Sequence, residues 1–484
     1  MSRFKIPLKY SYTTLPESLF SKLSPAPVSE PKLIIYNQNL ADELGLDLGN
    51  ISEKESTDFL SGNRVPEGTT PFAQAYAGHQ FGNFTVLGDG RAIVLGEFLS
   101  PAGQLFDLQL KGSGRTPWTR GGDGRAVLGP MLREYIISEA MHALGVPTTR
   151  SLAVVATGDT VYRETPLPGA VLSRIASSHI RVGTFEFTSL LEDKTITEKL
   201  LHYLIERHFP EIKGKENQPL ALLEAVIYQQ AELITHWMRV GFIHGVMNTD
   251  NMALSGETID YGPCAFMDTF DPNTVFSSID RQGRYAYANQ PYIAQWNIAR
   301  LAESLLALMP GKKEEAIGET EALLNSFEQV YKKKWLAMMR SKLGLADPQK
   351  EDEKLITDLL DWMHKTKADF TNTFRDLGKP ELSENELFKT ESFESWHTRW
   401  QERLKQEPKG LDSSLSLMGS VNPAVIPRNH KVEEALTAGE QGDIEPFNRL
   451  LQAIEQPYED GDHLLPYQAQ PKQTEKVYQT FCGT

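Results

Sequence analysis

The chain has 484 residues, enough for two or more hydrophobic cores, and its 40% hydrophobic and 23% charged content is that of an ordinary globular protein. A formal net charge of −15 at pH 7 argues against a general nucleic-acid surface, and no apolar run reaches the ~18 residues of a membrane span. Two cysteines fit a reducing compartment, and Met1-Ser2-Arg3-Phe4-Lys5-Ile6-Pro7 has neither the apolar centre of a signal peptide nor an Arg-rich amphipathic helix, so a cytoplasmic location is expected.

Residues 1 to about 70 read as irregular and rich in turn formers, with Leu33–Tyr36 as one short strand. Ala92–Phe98 and Leu105–Lys111 flank Pro101-Ala102-Gly103 and read as a hairpin. A glycine-rich basic stretch, Lys111 through Arg125, follows. Leu132, Tyr135, Ile136, Ala140, Met141 and Leu144 then recur at helical spacing from about Gly129. Leu152–Ala156 and Ala170–Ile175 read as two more strands. After about residue 190 the pattern turns helical, with one long helix ending near Gly241 and another carrying Ile293, Trp296, Ile298, Leu301, Leu305 and Leu308. The expected organisation is an N-terminal extension (1–70), a strand-rich nucleotide-binding lobe (71–190), a helical lobe with catalytic and metal-binding loops (191–340), and a helical extension with a tail (341–484). The fold class is α+β, with a cleft between the two lobes.

Four elements occur in the order that a kinase-like nucleotide site requires. Gly88-Asp89-Gly90-Arg91 precedes a strand; its glycines let backbone N–H groups approach phosphate, although Gly-x-Gly alone is most often a plain turn. Lys111 ends an apolar strand, and Glu134 on the next helix is its expected ion-pair partner, with Glu139 as a rival. The most specific element is His244-Gly245-Val246-Met247-Asn248-Thr249-Asp250-Asn251 followed by Asp260-Tyr261-Gly262. It resembles a kinase catalytic loop and its Asp-x-Gly, except that valine stands where the base belongs and a new carboxylate, Asp250, stands beside Asn251. Asn251 and Asp260 supply oxygen ligands suited to Mg²⁺ or Mn²⁺, and a hairpin turning at Ser255-Gly256 would bring them together. His244 is expected to brace the loop. His202 and His208 are expected on the surface. Arg91, Lys111, Arg115, Arg120, Arg125, Arg174 and Arg181 concentrate positive charge in the strand-rich part, which suits a phosphate chain, with Arg115 and Arg120 equally readable as surface charges.

Gln80-Phe81-Gly82-Asn83, Gly88–Arg91, Gln109 through Pro117, Gly121 through Arg125 and His244 through Met252 together resemble the selenoprotein O family, also called YdiU. The resemblance runs over nearly the whole chain. It implies a protein-kinase-like two-lobed fold with extensions at both ends. It also implies adenylylation, in which AMP moves from ATP to hydroxyl side chains of proteins while pyrophosphate leaves, with ATP reversed relative to kinases. It carries nucleotide contacts over to Gly88, Gly90, Arg91, Lys111, Asp123, Gly124, Arg174, Arg181 and Asp260, the proton acceptor to Asp250, and the metal ligands to Asn251 and Asp260. The implied partners are ATP and protein substrates, with no nucleic acid and no membrane. Many eukaryotic members carry selenocysteine near the C-terminus, where this chain has Cys482; the resemblance raises a redox pair between Cys264 and Cys482. The rival readings are a kinase moving the γ-phosphate, disfavoured by Val246, and a nucleotide-binding pseudokinase, disfavoured by intact Asn251 and Asp260.

Overall fold

The structure, a computed structural model, describes residues 7–46, 48 and 51–481. The opening hexapeptide and Cys482 therefore lie outside the described residues. The first half builds one large antiparallel sheet. Its strands are β1 (Phe20–Lys22), β2 (Lys32–Tyr36), β3 (Phe72–Gln80), β4 (Asn83–Gly88), β5 (Ala92–Leu99), β6 (Leu105–Lys111), β7 (Ala126–Val127), β8 (Arg150–Tyr162) and β9 (Pro166–Ala176). The order is β1-β3-β5-β6-β9-β8-β2, with β4 on β3 and β7 on β9. The β5–β6 hairpin, the β2 strand and both later strands lie where the sequence predicts them.

Residues 1–70 depart from the irregular stretch expected. They include α1 (Gln38–Leu44), capped by Asn37, and α2 (Glu53–Ser61), opened by a Ser52/Glu55 capping box. These are short helices whose apolar residues bury against the outer sheet face: Leu40, Leu44, Phe59 and Leu60 form a second core with Leu108, Leu152 and Val171. Their propensity is weak and packing decides them. The strand β3 is also missing from the sequence reading, because Ala73, Ala75, Ala77 and Gly78 give it little strand character.

Helix α3 (Leu128–Ala143) lies against the inner face of the sheet. The helices α4 (Val182–Ser189), α5 (Thr195–His208) and α6 (Gln218–Val240) begin the second half. The last of these ends at Gly241, whose φ of 72° closes it in the left-handed conformation. A small pair, β10 (Phe242–Ile243) with β11 (Ala265–Phe266), clasps the base of the loop between them. The helices α7 (Gln290–Leu305) and α8 (Lys313–Lys342) pack on α6; α9 (Asp352–Thr366) and α12 (Leu411–Val421) contact α8, with α10 (Phe370–Leu377) and α11 (Glu391–Leu404) between them in the chain, and α13 (Asn429–Glu440) and α14 (Glu445–Ile454) return to pack on α3. The main core is continuous from Met131 and Ile136 of α3 to Ile227 and Ile234 of α6 and Phe374 beyond, so the sheet and the helical part share one interior.

Candidate active site

The cavity between sheet and helices has a volume of about 780 Å³. Gly88, Gly90, Arg91, Lys111, Asp123, Gly124, Glu134, Arg174, Arg181, Asp250, Asn251 and Asp260 all line it. It holds seven lysines and arginines against five aspartates and glutamates, a local cationic excess in a strongly acidic chain.

Its deep end is organised by Asp260. This residue has φ of 63° and its carboxylate receives three cations: Lys111 Nζ at 2.9 Å, Arg174 Nη1 at 2.6 Å and Arg181 Nη1 at 2.7 Å. Burial would raise the carboxyl pKa, but the three cations override it and hold it well below the usual carboxylate range. Glu134 joins them, accepting from Lys111 Nζ at 2.6 Å and Arg174 Nη1 at 3.2 Å. The rival Glu139 pairs instead with Arg150 and with Asn37 at the start of α1. Lys111 and Glu134 meet because the lysine ends β6 and the glutamate lies on the α3 face turned to the sheet. A strand-end lysine is usually solvated, but this one is buried.

Four groups in this shell stand apart from the candidates that sequence reasoning named. Arg174 Nη2 donates to Gln109 Oε1 at 2.6 Å, and Arg181 lies 4.6 Å over the Tyr76 ring. Asp89 is buried, accepts from Gln74 N–H at 3.0 Å, and is pushed up to about 6 by burial, with Arg181 drawing it down. Arg163 donates to Asp123 at 2.8 Å, and this bond leads the lowering of the Asp123 pKa. The only available signal was the position of Asp89 between two glycines; Gln109 meets Arg174 through the pairing of β6 with β9, and the contacts of Tyr76 with Arg181 and of Arg163 with Asp123 join segments far apart in the chain.

The two glycine-rich segments form one cradle. Thr116 Oγ1 donates to the Asp89 carbonyl at 2.6 Å and Thr119 Oγ1 to the Gly90 carbonyl. A Cβ on Gly88, whose φ is 156°, would stand 2.3 Å from the Trp118 ring, so glycine is required there for the loop to close. Of the basic cluster, Arg120 reaches the cavity mouth, Arg125 is tied to the carbonyls of Ala26 and Pro27, and Arg115 is exposed.

Across Arg181 from Asp260 stands Asp250, whose carbonyl accepts from Arg181 Nη1 at 2.7 Å. Its Oδ1 is buried without a hydrogen-bond partner among the described residues, and its carboxyl is pushed up to about 6 by burial, against the pull of Arg181. A Cβ on Gly78 would lie 2.4 Å from that oxygen, so the β3 backbone sits directly over the carboxylate. Asn251 Nδ2 donates to the Val246 carbonyl at 2.9 Å, which leaves its side-chain oxygen available as a ligand. His244 is fully buried, stacks on Trp237, and bonds through Nε2 to the Ile259 carbonyl at 2.9 Å, a bracing role.

The expected hairpin at Ser255-Gly256 is replaced by a different arrangement. The turn exists, with Gly256 N–H donating to Ala253, but its arms pair outward. Met252 and Leu254 bond to Val182 and Ile180, while Thr258 bonds to Pro147 and Thr149. Neighbouring backbone takes the hydrogen bonds that a hairpin would have made with itself. His208 also differs from its expected surface position: it is half-buried against Ser178 Oγ at 2.8 Å, and burial lowers its pKa to about 4. His202 is exposed. Cys264 is buried, and the tail docks beside it: Thr480 donates through Oγ1 to the Pro263 carbonyl at 2.6 Å and through N–H to Phe276 at 2.8 Å.

The family model described as "Protein adenylyltransferase SelO" matches residues 3–455. The chain belongs to the SelO family. It is 57% identical over 475 residues to "Protein nucleotidyltransferase YdiU" of Nitrosococcus oceani, covering 98% of this chain and 96% of that protein. It is 57% identical over 484 residues to the protein of the same name from Alcanivorax borkumensis, with both chains covered completely. The Brevibacillus brevis relative is likewise 57% identical, over 98% of this chain and 97% of its own. This SelO member is thus an enzyme of the nucleotidyltransferase class. Among the described residues no helix is long and apolar enough to cross a membrane.

Proposed function

We propose that the chain transfers AMP from ATP to serine, threonine or tyrosine hydroxyls of proteins, in the cytoplasm, with ATP reversed in a protein-kinase-like cleft. The residues 71–190 would be the nucleotide-binding lobe, 191–340 the lobe carrying the catalytic loops, and the flanking segments extensions. The observation that carries the reading is the contrast between two neighbouring carboxylates, joined by Arg181 Nη1, which donates to Asp260 Oδ2 and to the Asp250 carbonyl at 2.7 Å each. The cations Lys111, Arg174 and Arg181 gather on Asp260, whereas Asp250, whose Oδ1 has no hydrogen-bond partner among the described residues, lines the cavity together with Val246, which cannot take a proton.

In this reading the β- and γ-phosphates lie deep, held by Lys111, Arg174, Arg181 and the Gly88–Arg91 and Asp123–Gly124 cradle, so the α-phosphate faces Asp250. The acceptor oxygen forms a bond to the α-phosphorus, the bond from that phosphorus to the bridging oxygen breaks, and pyrophosphate leaves with the electron pair. Asp250 takes the hydroxyl proton. Positioning and charge neutralisation dominate such a transfer, with the base a smaller factor.

The donor set fits a divalent ion. Among the described residues no three His, Cys, Asp or Glu side chains form a closed metal cluster, and Mg²⁺ typically takes one or two protein oxygens and completes its shell with phosphate and water. Asn251 and Asp260 would hold Mg²⁺ or Mn²⁺, which when bound would neutralise phosphate charge. The docked tail supports a Cys264–Cys482 redox pair, because Thr480 anchors the chain next to Pro263. Product analysis tests the reading: one pyrophosphate should be released for each acceptor modified, and stoichiometric ADP would point to γ-transfer instead.

A further inference from the structure

The β3–β4 hairpin roofs Asp250, and its two edges differ. Phe81 and Gly82 have φ of 51° and 84°, the two-residue turn that suits a tight hairpin. The register pairs Gln80 with Asn83, Gly78 with Thr85 and Tyr76 with Leu87. These pairs exchange hydrogen bonds, so the backbone groups of His79 point outward from β3, and those of Phe84 and Val86 outward from β4. On the β3 side the outward donors are taken: His79 N–H by Thr249 Oγ1 at 2.7 Å and Phe81 N–H by Asn248 Oδ1 at 3.0 Å. On the β4 side no strand, bridge or hydrogen bond among the described residues takes those of Phe84 and Val86. The two residues are 43% and 51% exposed.

Proteins usually blunt an open edge with charge, proline or a bulge, and Asn83-Phe84-Thr85-Val86 carries neither charge nor proline and keeps an unbroken register. Phe84 shares a face with His79 and Trp296, opposite the face that lines the cavity. Arg284 stacks over Trp296 at 4.8 Å beside the Gly82 turn and has no carboxylate partner among the described residues.

We propose that the open edge of β4 is the docking strand for the protein substrate, which adds as an extended segment with apolar residues at alternate positions beside Phe84 and Val86 and an acidic residue against Arg284. This rests on the proposed transfer to protein hydroxyls. Strand spacing puts the added segment roughly 10 Å from Asp250. The paired stretch therefore holds the target alongside the cavity, and the acceptor hydroxyl belongs to a residue beyond it. Backbone pairing gives affinity and the alternate side chains give selection.

The probe is a short synthetic peptide of alternating valine and threonine with an aspartate at one end and a tyrosine at the other, compared with the same peptide N-methylated along one edge. Hydrogen exchange at the Phe84 and Val86 amides should slow about tenfold with the first peptide and stay fast with the second. Val86→Pro removes only an outward donor. Together with Phe84→Lys, which keeps the ladder whole, it should raise the peptide KM about tenfold and leave kcat and self-labelling by α-labelled ATP unchanged. Equal peptide labelling by the parent and both variants, with self-labelling intact, would overturn the proposal. So would a dimer that Val86→Pro dissociates while peptide labelling is unaffected, since the edge would then serve a second copy. Exchange protection decides docking even where the parent labels nothing, so failure of the edge and failure of the chemistry are separable.

Discussion

Two carboxylates of the cavity, joined by Arg181, solve opposite problems. Around Asp260 every charge has a partner: Lys111 and Arg174 each meet both Glu134 and Asp260, and Arg181 meets Asp260 and the Asp250 carbonyl. Around Asp250 a buried carboxylate oxygen is left without one. A compensated cluster keeps its geometry before ligand arrives, whereas an unpaired oxygen costs stability and is retained where chemistry needs it. In the proposed transfer the Asp260 cluster would position the phosphates and Asp250 would take part in the reaction.

The largest effect expected is at the centre of the compensated cluster. Asp260→Asn removes the anion that three cations share, so transfer should fall by at least ~10²–10³, the scale of one lost preorganised contact. Breaking a buried pair also costs about 3–5 kcal/mol, so the thermal midpoint without nucleotide should drop, and saturating ATP should recover more of it than in the parent. An unchanged midpoint would mean that the cluster is not preorganised.

Glu134 and Glu139 sharpen the same point, five positions apart on one helix. Glu134→Ala should lose about 10²-fold in kcat/KM because Lys111 and Arg174 lose a tether. Glu139→Ala should lose stability through Arg150 and Asn37 with near-normal kcat/KM. The reverse order would place the wrong glutamate in the cluster. At Asp250, Gly78→Ala pushes a methyl toward Oδ1. It should lower kcat about tenfold with little change in ATP affinity, read by steady-state kinetics beside nucleotide titration.

The smallest effect is a pH dependence away from both carboxylates. Burial raises Glu257 to about 7, opposed by bonds from Ser255 and Ser177. Its folded pKa thus exceeds the ordinary 4.5, the native state binds the extra proton, and stability falls as pH rises from about 4.5 to about 7. In Glu257→Gln that decline in the unfolding midpoint should be shallower; an identical slope would remove Glu257 as its source.

Much of the deep end was legible in sequence, because its parts are local. Lys111 closes an apolar strand, Glu134 lies on the next helix one turn from Pro130 and Met131, which also line the cavity, and Asp260 precedes Tyr261-Gly262. What binds those parts together was not legible. Gln109 and Arg174 meet through the pairing of β6 with β9, and Trp118 folds back on Gly88 from a loop with no periodicity. The strand β3 was hidden by its alanines, and with it the contact of Gly78 with Asp250. The short helices α1 and α2 exist because a sheet face needs cover, which their own residues do not announce. The Ser255-Gly256 turn was correctly placed, but its partners lie seventy or more residues upstream.

The direct test of nucleotidyl transfer is the fate of the two ends of ATP. With Mg²⁺ and an acceptor protein, ATP labelled on the α-phosphate should leave label covalently bound to protein, and ATP labelled on the γ-phosphate should leave none. Label from the γ-phosphate alone would contradict the account, because the deep cations would then hold the adenosine side of the molecule and Asp250 would face the wrong phosphorus.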